Sequence, residues 1–223
     1  MAATHIGLIF HGIGDPQRKL EVGETPYWIS INKFESILAM IQRLPVPERI
    51  RISFDDGNLS DHDIALPRLV ERGLTADFFP LFGRVGQVGS LNASHIRALE
   101  AAGMGVGSHG VAHVNWSLLD AGALKDELQQ SRVGLGAICR HPVTTAAIPF
   151  GGYNGNVLRQ LREEGYTAAY SSDGGRMNPS SFLRPRKSVR EDMTEQDLRA
   201  ILTGKLGVRK WVRRKIGMAK RRM

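Results

Sequence analysis

Short apolar runs alternate along almost the whole chain with stretches whose apolar residues recur at helical spacing. His5–Phe10, Ile50–Phe54, Leu74–Phe79, Met104–Ser108, Thr144–Ile148 and Thr167–Tyr170 read as strands, and Phe182-Leu183 opens a seventh. Helices are expected from Asn32, with Phe34, Ile37, Leu38 and Ile41 on one face, and from Asp61 or Asp63 to Gly73. Others are expected from Asn92 or Ser94 to Gly103, over 118–140, over 154–164 and from Thr194. Repeated strand–helix units in one domain imply an α/β fold with a parallel sheet, open or closed into a barrel. The chemically interesting residues all fall just after strands: His11, Asp55, Asp56, His109, His113 and the segment 149–152. In a β/α barrel such positions gather at one end of the strands, which favours one shared site.

A chain of 223 residues can bury the core of one large domain. Its 42% apolar content fits a folded protein. The single Cys139 excludes an intramolecular disulfide framework and reads as a small apolar residue on a helix face. No run of about eighteen apolar residues is present to span a membrane. The N-terminus lacks a basic segment followed by an apolar one, so no signal peptide is expected and a cytoplasmic location is the default. The formal charge of +8 is concentrated: nine Lys or Arg and no acid follow Gly204, and removing nine from +8 leaves about −1 for the rest. We therefore divide the chain into a domain over 1–204 and a basic amphipathic tail over 205–223.

Two adjacent carboxylates at a strand end, Asp55 and Asp56, raise one another's pKa unless a cation or strong hydrogen bonds hold them. Ser108-His109-Gly110-Val111-Ala112-His113 places two imidazoles four residues apart after another strand. One Asp and two His can hold a divalent metal and leave a position open for water. The carboxylate left over is a spare base beside that water, which is equipment for hydrolysis.

Three segments carry a resemblance. Ser53-Phe54-Asp55-Asp56-Gly57, Ser108 to His113, and Ile148-Pro149-Phe150-Gly151-Gly152-Tyr153-Asn154 resemble, in order and spacing, the first three motifs of the polysaccharide deacetylases, carbohydrate esterase family four, with its nodulation-type chitooligosaccharide deacetylases. The resemblance covers roughly residues 5 to 204. It implies an irregular seven-stranded β/α barrel, TIM-like, and metal-dependent removal of acetyl from N-acetylated sugars of a polysaccharide, oligosaccharide or glycolipid. By the motif match Asp55 is the general base, and Asp56, His109 and His113 hold the metal, typically Zn²⁺, with Co²⁺, Ni²⁺ or Mn²⁺ as alternatives. The backbone N–H of Phe150 is the candidate oxyanion donor. Pro149, Gly151, Tyr153 and Trp116 are candidates for contact with the sugar, Trp116 and Tyr153 with core packing as the competing role.

The chain also departs from the family pattern. Better-known members take their general acid from a His near the C-terminus, whereas no His follows His141 here. Leu8-Ile9-Phe10-His11-Gly12-Ile13 instead resembles the opening of the exopolysaccharide poly-N-acetylglucosamine deacetylase branch, where this motif is moved to the front; that makes His11 the candidate acid. Many relatives carry an Arg two residues before the motif-three Pro, orienting the base; Ala147 stands here. Gly110 stands where many relatives have Ser or Thr bracing the His loop. Asp173 is expected to serve a turn, with a place on the cleft wall as the alternative, and Arg184 and Arg186 to lie on a solvated face, with binding of an anionic group such as a phosphate as the alternative.

The expected partner is an acetylated amino sugar. The tail interleaves Leu206, Val208, Trp211, Val212 and Ile216 with cations, which suits docking on the barrel or peripheral contact with an anionic membrane at its inner face. The near-neutral body offers no broad basic groove, so no nucleic acid is expected. Three functions stay open at this point: a carbohydrate N-deacetylase, a degenerate barrel that binds carbohydrate without turnover, and a binding protein led by its tail. Within the enzymes, hydrolysis of another C–N bond or of an O-acetyl ester on the same scaffold is a related alternative.

Overall fold

β1 (His5–Phe10) lies at the centre of a parallel sheet, between β4 (Ile50–Asp56) and β10 (Leu183–Ser188). The structure is a computed structural model and describes residues 4–204. β2 (Gly12–Ile13) and β3 (Trp28–Ile29) pair with each other beyond the end of β1. The sheet continues through β5 (Ala76–Pro80) and β6 (Gly105–Val106) on one side, and through β8 (Ala168–Ser171) and β7 (Thr145–Ala147) on the other. β9 (Arg176–Met177) adds a short antiparallel pairing to β1. The seven strands β6-β5-β4-β1-β10-β8-β7 run parallel. The curved sheet nearly closes where Ser108 bridges to Ala146: Ser108 N–H donates to Thr145 O at 2.9 Å and Ala147 N–H to Ser108 O at 2.8 Å. This is the expected irregular β/α barrel. β6 is shorter than the sequence suggests because Ser108 has already turned toward β7.

Helices α1 (Ile31–Gln42), α2 (Leu66–Glu71), α3 (Ala93–Ala101), α4 (Ala121–Ile138), α5 (Gly155–Glu163) and α6 (Glu195–Leu202) surround the sheet. The expected apolar face of α1 is buried, but its cap is Ser30, not Asn32: the Ser30 hydroxyl accepts from Lys33 N–H at 3.3 Å. Asp120, Asn154 and Thr194 cap α4, α5 and α6 in the same way. The helix expected from Asp61 opens instead as a π-turn, Asp61–Ala65, ahead of α2.

Strand alternation sorts the core into two layers. Phe10, Phe54 and Phe78 face the helices and stack with ring centroids 5.3 and 4.6 Å apart, while Phe34 of α1 meets Phe10 edge-on at 5.1 Å. Their neighbours point into the barrel, where Phe79, Ala147, Ala168, Tyr170 and Met177 form a separate small cluster. Small residues there leave space for a large polar side chain. No helix among the described residues is long and apolar enough to cross a membrane. The basic tail lies outside the described residues.

Candidate active site

In a regular strand Asp55 and Asp56 would point to opposite faces. Asp56 instead takes a left-handed backbone, φ 77°, which swings its carboxylate round to the mouth of the barrel. Left-handed non-glycine residues are uncommon and concentrate where the surroundings enforce them. Among the described residues there are three, Asp56, His113 (φ 54°) and Phe150 (φ 55°), and all three line one cleft of ≈350 Å³ at the C-terminal ends of the strands. His11, Asp55 and His109 line it too.

Asp56, His109 and His113 offer ligand atoms that all lie within 4.8 Å of one another. Asp56 Oδ1 is 3.5 Å from Nε2 of each imidazole. Two ligands on a tetrahedral ion, with bonds of about 2.0–2.2 Å, sit about 3.4 Å apart. The outer nitrogens are already engaged: His109 Nδ1 faces Ala147 O at 2.9 Å and His113 Nδ1 faces Glu21 Oε2 at 2.9 Å. Each Nδ1 therefore carries the proton and each Nε2 turns a lone pair inward. Both oxygens of Asp56 are buried and make no hydrogen bond. A buried carboxylate without donors calls for a cation, so this residue set fits a divalent metal. Burial pushes the Asp56 carboxyl up, but the positive charge that His11, His109 and His113 carry when protonated outweighs it and holds the group below its usual range; a divalent ion bound there would act in the same direction with the imidazoles neutral. Burial lowers the His109 imidazole against the opposing pull of Asp55 and Asp56, favouring the neutral ligand form.

The loop carrying the two His is braced from inside the protein. Glu127 of α4 accepts from Val111 N–H at 2.8 Å and Ala112 N–H at 3.0 Å, and the Ser108 hydroxyl accepts from Gly110 N–H at 3.0 Å. A side chain at Gly110 would meet the Glu127 carboxylate at 2.6 Å, and its φ is +83°. Glu127 thus braces the loop from α4, where Gly110 has no side chain to do so.

Asp55 is held by a residue the sequence reading placed on a solvated face. Arg186 is 1% exposed and lies inside the barrel. Its Nη1 and Nη2 donate to the two Asp55 oxygens at 2.8 and 2.9 Å, and Nη1 also reaches Ser53 Oγ at 2.7 Å. The guanidinium lies 5.1 Å from the Phe79 ring centroid and 5.3 Å from that of Tyr170. The clamp missing at Ala147 is supplied from β10. The only sequence signal was alternation, which puts Arg184 and Arg186 on one face; it could not say that the face was interior.

Other expectations are revised. Trp116 is fully buried, against Gly110, and Tyr153 is 1% exposed with its hydroxyl donating to Asp173 Oδ2 at 2.8 Å. Neither has a face free for a sugar, so both serve the core. Pro149 is buried as well, whereas Gly151 and Phe150 line the cleft. The Phe150 ring is 63% exposed and stacks on His113 with centroids 4.4 Å apart. His11 reaches the cleft, packs 5.0 Å from the Tyr27 ring, and keeps a buried Nδ1 without a hydrogen-bond partner.

A model of the polysaccharide deacetylase family matches residues 45–169, more than half of the chain. The chain belongs to that family. It is 21% identical over 179 residues to the "Putative polysaccharide deacetylase YxkH" of Bacillus subtilis (strain 168), covering 75% of this chain and 64% of that protein. The chain thus spans less than two thirds of the length of this curated relative. Among solved structures, the Streptococcus pyogenes deacetylase PplD in complex with acetate superposes with a TM-score of 0.76 at 17% identity, covering 91% of this chain and 99% of that one. IcaB from Ammonifex degensii gives a TM-score of 0.71 at 18% identity, covering 90% and 96%. At these identities the likeness is one of fold.

Proposed function

We propose that this protein is a metal-dependent hydrolase that removes acetyl groups from N-acetylated sugars of a polysaccharide, oligosaccharide or glycolipid. The observation that carries this reading is the convergence of Asp56, His109 and His113 within 4.8 Å beside the clamped Asp55 in one cleft. Asp56, His109 and His113 would hold the ion, with zinc favoured by the mixed N/O donor set and cobalt, nickel or manganese as alternatives. Such a metal supplies a nucleophile at neutral pH and polarises the acetyl carbonyl.

The chain's own residues supply the rest. Arg186 occupies one lone pair on each Asp55 oxygen and leaves the others free. Asp55, fixed in this way at the cleft wall, takes a proton from the attacking water as the C–O bond forms. The Phe150 N–H donates to the oxygen that gains charge in the tetrahedral intermediate. His11 gives a proton to the departing nitrogen as the C–N bond breaks, so acetate and a free amine leave. Phe150 presents an exposed apolar ring beside the metal ligands, suited to the face of a sugar.

The test is acetate release from a panel of N-acetylated glucosamine oligomers and O-acetylated sugars, with and without a chelator. Release from N-acetyl substrates that the chelator abolishes and zinc restores is the expected result. Release that a chelator does not affect would overturn the metal reading, and release from O-acetyl substrates alone would overturn the amide reading.

A further inference from the structure

Glu21 belongs to no motif in the sequence and lies in the segment between β2 and β3, 92 residues from His113, yet its carboxylate touches this metal-ligand candidate. Glu21 Oε2 accepts from His113 Nδ1 at 2.9 Å, and Glu21 Oε1 pairs with Arg84. Its segment forms part of the cleft wall through Glu21, Val22, Gly23, Glu24 and Tyr27. Arg18 ties this rim to the body and to itself: its Nε donates to Asn58 Oδ1 at 2.9 Å, and its Nη1 donates within the rim to Glu24 Oε2 at 3.0 Å. Val22 at its tip is fully exposed. The two imidazoles are thus oriented differently. His109 leans on a backbone carbonyl of a core strand, whereas His113 leans on a side chain from the rim.

We propose that Glu21 is a positioning residue for His113, and that through this contact the rim segment 15–27 and the metal stabilise one another. The inference rests on the metal reading given above. A carboxylate on the outer nitrogen fixes the tautomer and ring orientation and raises the basicity of the inner nitrogen. Binding linkage is reciprocal: if the rim contact strengthens metal binding, the metal strengthens the rim contact by the same factor. A loop that forms one wall of the substrate cleft is then ordered most fully in the loaded protein.

The experiment measures zinc affinity by competition with a chromophoric chelator, and hydrogen exchange of segment 15–27 with and without zinc, in the wild type, Glu21→Gln and Arg84→Met. Glu21→Gln should bind zinc about 10- to 100-fold more weakly and lose the zinc-dependent protection of the rim. Arg84→Met also loosens the rim but leaves the Glu21–His113 contact in place, so its zinc affinity should stay within about threefold of the wild type. Equal losses in the two variants would mean that Glu21 only holds the loop, and would overturn the proposal. Unchanged affinity in Glu21→Gln would overturn it too, while leaving the metal reading intact. A wild type that binds no zinc, cobalt, nickel or manganese would end both.

Discussion

The Arg186 guanidinium grips both oxygens of the Asp55 carboxylate, at 2.8 and 2.9 Å, from a strand on the far side of β1. The contact is made possible by Gly7. Gly7 pairs in register with Arg186, and a Cβ there would lie 2.7 Å from Arg186 Cγ. A missing side chain on β1 thus allows a long one on β10 to cross the barrel interior to β4.

Replacing Arg186 by Lys keeps a charge but removes the planar fork. The Asp55 carboxylate should lose its fixed orientation. We expect turnover to fall about 10²-fold, the usual penalty for misplacing a reacting group by about 1 Å, with zinc affinity nearly unchanged. Arg186→Met should in addition destabilise the fold by about 3–5 kcal/mol, because it leaves a buried carboxylate unpaired. Acetate release and urea unfolding measure the two effects separately.

Gly7→Ala should be destabilising although both residues are small. The added methyl cannot be accommodated unless Arg186 shifts, and overpacking of this kind costs about 1–3 kcal/mol. Turnover should fall with it. A Gly7→Ala protein with normal urea midpoint and normal turnover would show that the barrel interior is looser than the 2.7 Å contact implies.

Asp55→Asn should keep its metal and lose turnover by about 10²- to 10⁴-fold, the usual contribution of a general base. His11→Ala should slow release of the amine product far more than it changes zinc content. Metal analysis alongside steady-state rates checks both; full turnover in either variant would remove that residue's assigned role.

Zinc should raise the thermal midpoint of the wild type, since a ligand at about 1,000 times its Kd stabilises the native state by about 4 kcal/mol. His113→Ala should abolish most of that rise. Glu127→Ala should reduce it, because Val111 and Ala112 lose their acceptor and the loop that presents His109 and His113 loosens. Differential scanning calorimetry with and without zinc is the measurement.

Cys139, half-buried at the end of α4, has its thiol pushed up to about 11 by burial, with Glu100 adding to the effect. The proton therefore stays on at neutral pH. Alkylation by iodoacetamide should be slow at pH 8 and rise about tenfold per pH unit toward 11, because only the thiolate reacts. Alkylation should leave acetate release unaffected, as Cys139 is not among the residues lining the cleft.

Much of this protein was legible from residue order. Apolar periodicity marked the barrel strands, since a parallel strand buried on both faces must be apolar for most of its length. The Asp, His and Pro-Phe-Gly segments each followed a strand, and parallel strands carry all their C-terminal ends to one rim. Asp55, Asp56, His109, His113 and His11 therefore met in one cleft, as expected. What could not be read were contacts whose partners are distant in the chain and carry no motif. Arg186 looked like a surface residue because a charged side chain in a short strand usually is one; only barrel closure turned its face inward and brought it to Asp55. Glu21 and Glu127 belong to no motif, and only folding sets them against His113 and the loop amides. Trp116 and Tyr153 had the composition of sugar platforms, and packing density put them in the core. Local pattern determines which elements form and which ends they share, because those follow from backbone geometry and the burial of apolar surface. The partner of each buried charge is decided only in three dimensions, where the closed sheet removes water and leaves the nearest opposite charge to take its place.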